Sequence, residues 1–292
     1  MSVLNGQEFL RPAVESVLAQ TFADFEFIII DNASRDQTPA ILDSYQDARV
    51  VRIRNDRVLS LTQSLNKGLQ IARGDYVARL DADDVAAPVR LARQVEFLDR
   101  NSDVLLAGSA VRVIDEHGRV TGRIDPPQAS GSLYNALAWS NPFVHSAAIF
   151  RREAVVGLGG YPETYVYAQD LALWIKLALR GKLGMVAEPL VDLREHGRQA
   201  TQAPDLAVTR NREMIAIFGA AQQLPGLSGE ARRHGRLHLA TLHCLLAGAL
   251  LASGRFAAAV GALLHGLYLA PVFCTRRALA GRWRVALPKS HA

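Results

Sequence analysis

Four apolar runs, each preceded by a helical pattern, constrain the first two hundred residues more than any other feature. "FEFIII" (Phe25–Ile30), "VVRIR" (Val50–Arg54), "DYVARL" (Asp75–Leu80) and "DVLLAGSAVRVID" (Asp103–Asp115) read as strands. Residues 7–20, 36–46, 59–73 and 88–100 carry apolar side chains at helical spacing, often after a cap residue or with Pro in the first turn. This alternation predicts an α/β fold, a mostly parallel sheet flanked by helices. Open sheets of this kind bind ligands beyond the carboxyl ends of their strands, and Asp31 and Asp81–Asp84 fall there.

The third strand runs straight into "LDADDVAAP", with Asp81, Asp83 and Asp84 within four positions. Ionised groups this close repel one another and are costly to desolvate, so folding alone gives no reason to gather them. A divalent cation resolves the conflict. Hard oxygen ligands suit Mg²⁺ or Mn²⁺, which keep positions open for substrate phosphates. Taken alone, an Asp-x-Asp is a weak signal, because solvated acidic turns are common.

Beyond the turn-rich "DPPQASGS" (Asp125–Ser132), "HSAAIF" reads as a strand, "AQDLALWIKLALRGK" as a helix and "MVAEPLVDLREHG" as a strand entering a loop. Trp174 reads as a core residue of that helix rather than a sugar platform, and His145 as a packed strand-end histidine. From about residue 205 the composition shifts to Ala, Leu, Arg and Gly in helical hairpins, with a turn at Ser253–Gly254. Residues 205–292 hold 11 Lys and Arg against 3 Asp and Glu, a net of +8, whereas residues 1–204 carry a net of −3. Two domains are therefore expected, 1–204 and a basic helical region, 205–292. The first apolar helix, at about 15 residues with His238 and His243 inside it, reads as short of the roughly 20 needed to span a bilayer. The two helices are expected to pack as a soluble pair. The basic surface would meet an anionic membrane or an acidic partner, as a peripheral contact. Nucleic acid is not expected, since aromatics are not interleaved with the basic residues. Two cysteines form no framework and residues 1–12 are polar and mixed, so a cytoplasmic protein is expected.

The ordered series "NGQEFLRPAVESVLAQTFADFEFIIIDNASRDQT", "SLNKGLQIARGDYVARLDADD", "NPFVHSAAIFRREAV", "LGGY", "AQDLALWIKLALRG" and "REHG" resembles a family 2 glycosyltransferase of the GT-A fold over residues 1–200. The resemblance implies inverting, metal-dependent transfer of a sugar from a nucleotide diphosphate donor, UDP being the most common, to a glycan or lipid-linked acceptor. It makes Asp31 the carboxylate that accepts from the donor's base. It places Asp81 near the ribose and makes Asp83 the metal ligand, with His196 completing the metal or diphosphate site. Asp170 matches the general base, and Gly159 and Gly160 match a loop lining the acceptor side. The chemistry needs these parts: a cation to stabilise the leaving diphosphate, and one separate carboxylate to take the acceptor's proton. As rival readings, Asp31 and Asp170 could each be helix caps, and His196 an ordinary loop histidine.

Three departures from the family pattern stand out. Gln169 replaces the Glu before the base, and Leu4 replaces the aromatic residue that commonly stacks on the nucleotide base. The first strand looks truncated, since Met1 stands where it should be ending, which suggests an internal methionine taken as the start. The alternative functions are a non-catalytic nucleotide-sugar-binding or partner-binding protein of the same fold, and nucleotidyl transfer. The latter's glycine-rich, basic phosphate loop is absent.

Overall fold

A computed structural model describes residues 1–126, 132–197 and 206–270. The chain divides into two compact units: Met1–Pro126 with Phe143–Gly197, and Pro127–Pro142 with Arg198–Ala292.

In the first unit a parallel three-stranded sheet joins β1 (Ser2–Val3), β2 (Phe27–Asp31) and β3 (Val50–Arg54) in that order. Helices α1 (Leu10–Leu18), α2 (Thr38–Asp43) and α3 (Leu61–Ile71) connect them or follow them. α3 begins with a full capping box, Ser60 accepting from Gln63 N and Gln63 returning the bond. The apolar faces of α1, α2 and β2 close on one another through Leu10, Val14, Phe27, Ile29, Ile41 and Leu42.

A second, mixed sheet holds β4 (Tyr76–Ala78), β8 (Ile149–Arg151), β6 (Val104–Ile114), β9 (Lys182–Arg194) and β5 (Val85–Ala86), with β7 (Val120–Ile124) beside β6. Here only β6 and β9 run parallel; the other pairs are antiparallel. The helices are α4 (Arg90–Arg100), α6 (Arg152–Val156) and α7 (Gln169–Ala178). "HSAAIF" is a short 3₁₀ turn, His145–Ala147, before β8 rather than a continuous strand. Sequence did not foresee β5, which is two residues long, or β7, whose residues are all exposed and carry no burial pattern. Trp174 is fully buried, ringed by Phe143, His145, Phe150 and Tyr161, as expected of a core residue.

β1 pairs with only the last two residues of β2, Ser2 opposite Ile30 and Val3 opposite Asp31. The rest of that edge faces β4 across a cavity of about 740 Å³, lined by Phe27, Ile28 and Ile30 on one side and Tyr76, Val77 and Ala78 on the other. The two sheets therefore do not pair with each other. Asp31, Asp81, Asp83 and Asp170 do not line this cavity.

The second unit comprises α5 (Ser132–Ala136), α8 (Ala207–Ala221), α9 (Gly229–Ala252) and α10 (Phe256–Leu269). Sequence assigned residues 132–142 to the first domain, yet they join the helices. Tyr134 Oη donates to Pro225 O at 2.6 Å, and Gln222 Nε2 donates to Ala138 O at 2.8 Å. α9 and α10 turn at Ser253–Gly254 as expected, Gly254 taking φ +73°. α9 is longer than its apolar run suggested. At 24 residues, with mean hydropathy 1.3 over its best window, it is long and apolar enough to cross a membrane, though 44% of that window is buried within the protein.

His238 lies inside α9 against Phe218, with ring centroids 4.6 Å apart and no hydrogen-bond partner for Nε2. Burial pulls its pKa down to about 4. Its folded pKa is below the unfolded value, so its stabilising contribution is full above pH 6.5 and is lost as pH falls towards 4. The helical unit should lose up to about 3 kcal/mol over that window through this residue. Melting curves of wild type and His238→Leu between pH 7 and pH 4.5 check this, the variant being the less pH-sensitive.

Candidate active site

The three carboxylates after β4 have three different surroundings. Asp81 pairs with Arg79, a guanidinium buried to 3% exposure in the preceding strand segment. Its other oxygen accepts from Ser146 Oγ at 2.9 Å. Burial alone would raise the Asp81 pKa, but Arg79 and these bonds hold it down to about 2. Asp84 is buried and accepts from Arg194 N at 2.8 Å; burial, with the Asp81 and Asp83 charges, pushes it up to about 7. It thus pins the end of β9. Asp83 meets a histidine instead. Its Oδ2 lies 3.1 Å from His196 Nε2, and burial followed by the Asp81 charge raises its pKa.

Register explains why His196 arrives there. β5 pairs antiparallel with β9, Val85 opposite Asp192, so β9 ends beside the acidic turn. Arg194 then donates from Nε to Asp83 O at 2.8 Å and from Nη1 to Asp115 O at 3.0 Å. Phe9 fits between Arg194 and His196, 4.7 Å and 4.8 Å away.

Asp31 ends β2. In the parallel register its partner across the ladder is Arg54, whose Nε stands 3.4 Å from Asp31 Oδ2. Asp31 Oδ1 accepts from Ser34 N at 2.9 Å, a local turn bond, while α2 starts only at Thr38 after Gln37. The helix-cap reading of Asp31 is therefore not what the fold uses. Oδ2 is buried and has no hydrogen-bond partner among the described residues. Leu4, where an aromatic residue was looked for, is 45% exposed on the adjoining loop.

Gly159 and Gly160 both take left-handed backbone, φ +83° and +80°. Asn66 on α3 clamps the loop, its Oδ1 accepting from Tyr161 N at 2.8 Å and its Nδ2 donating to Tyr161 O at 2.9 Å. A Cβ at Gly160 would stand 2.6 Å from Asn66 Oδ1. Gly160→Ala should therefore cost about 2 kcal/mol or more, from backbone strain plus a broken clamp. Chemical denaturation shows this as a lowered midpoint at unchanged slope; an unaltered midpoint would contradict it.

Asp170 sits in the first turn of α7, whose cap residue is Ala168 with no side-chain cap bond, so Asp170 is not the cap either. The neighbouring Gln169 is 4% exposed and points inward. Tyr161 lies in the loop between α6 and α7. Its hydroxyl lies 3.0 Å from His145 Nε2, and its pKa is pushed up by burial and then by the charges of Asp170 and Asp81, against the pull of Arg79. One phenol thus feels both carboxylates.

Arg79, Ser146, Arg194 and Tyr161 escaped the sequence reading. A signal existed for Arg79: it interrupts an otherwise apolar strand immediately before an acidic turn.

Among the described residues no group of three His, Cys, Asp or Glu stands close enough to enclose a metal. At the acidic turn Asp83 and His196 converge. Such a pair fits an ion of the Mn²⁺ or Mg²⁺ kind, which takes one or two carboxylates and leaves the remaining positions to phosphates and water.

Carboxylates gathered at the carboxyl ends of strands, over a helix-flanked α/β layer, define a GT-A-type fold. The profile of Glycosyl transferase family 2 matches residues 1–158, more than half of the chain, and the protein belongs to that family. It is 30% identical over 191 residues to the Escherichia coli UDP-Gal:alpha-D-GlcNAc-diphosphoundecaprenol beta-1,3-galactosyltransferase, spanning 64% of this chain and 68% of that one. Among solved structures, S. aureus TarS 1-349 in complex with UDP-GlcNAc superposes with TM-score 0.69 at 16% identity, covering 96% of this chain and 90% of that one. The mannosyltransferase PcManGT from Pyrobaculum calidifontis, in complex with GDP-Man and Mn²⁺, gives TM-score 0.60 at 20% identity, over 96% and 86%. The chain spans about two thirds of the length of the curated relatives it matches.

Proposed function

We propose that this glycosyltransferase moves a sugar, with inversion, from a nucleotide diphosphate donor to a hydroxyl of a glycan or lipid-linked acceptor in building a cell-surface polysaccharide or glycoconjugate. One observation carries the reading: Asp83 and His196 meet 3.1 Å apart at a strand end, beside an Asp81 already neutralised by Arg79. Asp83 holds a charge that burial makes unfavourable, and a divalent cation there relieves it. Bound, such an ion would offset the growing charge of the leaving diphosphate. The relatives support the donor class, one named for a UDP-sugar and a diphosphoundecaprenol acceptor, and one structure holding UDP-GlcNAc.

The remaining roles fall to this chain's own side chains. Asp31 Oδ2, buried beside the Arg54 guanidinium at 3.4 Å but making no hydrogen bond, is the acceptor for an N–H of the donor's base. Asp81, held by Arg79 and Ser146, is rigid enough to orient the ribose. Asp170 takes the acceptor's proton as the new glycosidic bond forms. The glycine loop, clamped by Asn66, shapes the acceptor side.

A thermal-shift panel of UDP, GDP and dTDP, each with Mn²⁺ and with EDTA, tests the donor half of this reading. One nucleotide should raise the Tm by several degrees in Mn²⁺, the scale expected at about 100 times its Kd. Stabilisation by no nucleotide, or an equal shift in EDTA, would refute it.

A further inference from the structure

α10 packs against α9 with its small residues. Ala259, Ala262 and Gly266 are buried there, and a Cβ on Gly266 would stand 3.2 Å from Ala240 O and 3.3 Å from His243 Cβ. Leu263 and Leu267 are half-buried beside them, while four other large residues face the other way. Phe256, Val260, Leu264 and Tyr268 recur every fourth position and are 68%, 56%, 60% and 83% exposed. That departs from the usual arrangement, in which the outward face of a packed helix carries charged or polar side chains. The helix Phe256–Leu269 carries no Asp, Glu, Lys or Arg at all. Contiguous exposed apolar surface of this kind marks an interaction site.

Charge decides the occupant. Arg255 stands exposed at the start of α10, Arg233 and Arg236 are exposed on α9, and residues 205–292 hold 11 basic against 3 acidic residues. A second copy of this chain would bring like charge against like charge. An anionic bilayer supplies both an apolar boundary for the stripe and a negative surface for the arginines. We propose that the outward face of α10, Phe256, Val260, Leu264 and Tyr268 flanked by Arg255, seats the protein on an anionic lipid bilayer. The helix lies in the interface plane rather than across it, since its opposite face is occupied by α9. This inference rests on the helices alone and stands apart from the transfer reaction, which it would serve by holding the protein where lipid-linked acceptors are.

The test is flotation of the full chain with vesicles of phosphatidylcholine alone and of phosphatidylcholine with about one third phosphatidylglycerol, in low salt and in about 0.5 M salt. Binding should require the anionic lipid and weaken in high salt. Phe256→Glu with Leu264→Glu should reduce it about ten-fold or more while the Tm stays that of wild type. If that pair lowers the Tm, Phe256→Ser with Leu264→Ser takes its place under the same criterion. Wild type that fails to float with anionic vesicles overturns the proposal, as does a variant that floats equally well. A wild-type dimer in light scattering that the variant dissolves would overturn it too, assigning the face to a second copy.

Discussion

Asp170→Asn lowers sugar transfer by about two to four orders of magnitude and leaves donor binding nearly unchanged. The expectation follows from position. Asp170 begins α7 without capping it, and its charge reaches Tyr161, which also feels Asp81. A carboxylate near the donor site but outside the metal pair is what an inverting displacement needs, because the acceptor hydroxyl must lose its proton as it attacks. The amide keeps the shape and removes the basicity. Comparing kcat with the Kd for the nucleotide separates the two roles. A variant that keeps wild-type kcat would remove Asp170 from the chemistry, while one that loses nucleotide binding would move it to the donor site.

Asp83→Ala abolishes the metal-dependent part of nucleotide stabilisation, about 5 °C or more at saturating nucleotide. The same change at Asp81 acts differently. Asp81→Ala would strand Arg79 as a buried, unpaired cation, which typically costs about 3–5 kcal/mol. So Asp83→Ala should fold with a near-normal Tm without ligand and fail to respond to Mn²⁺ with nucleotide, whereas Asp81→Ala should melt early regardless. Thermal melts of both variants, with and without Mn²⁺ and UDP, distinguish the two carboxylates. An Asp83→Ala protein that still gains stability from metal with nucleotide would place the ion elsewhere.

Much of this architecture is written locally. β3 spans Val50–Arg54 as its β-branched run predicts, and the α9–α10 turn falls at Ser253–Gly254. The acidic turn was legible because three carboxylates in four positions have no folding rationale. Its internal division of labour was not. Whether a carboxylate meets Arg194 N or His196 depends on strand register over more than a hundred residues, which spacing does not encode. Arg194 illustrates this: in sequence it is one more arginine before a histidine, and in the fold it holds Asp83, Asp115 and the ring of Phe9 together. The joining of residues 132–142 to the helical unit was hidden for the same reason, since it rests on single bonds to Pro225, Ser228 and Gln222. The stretch 127–131 within the turn-rich break and the tail beyond 270 lie outside the described residues.

The rate of nucleotide diphosphate release from the preferred nucleotide-sugar, with a lipid-linked glycan acceptor, in Mn²⁺ and again in EDTA, tests the central claim most directly. The Asp83–His196 pair predicts acceptor-dependent release in Mn²⁺ that falls about a hundred-fold or more in EDTA and recovers when Mn²⁺ is restored. Release that proceeds equally in EDTA would contradict a metal-assisted transfer at this site.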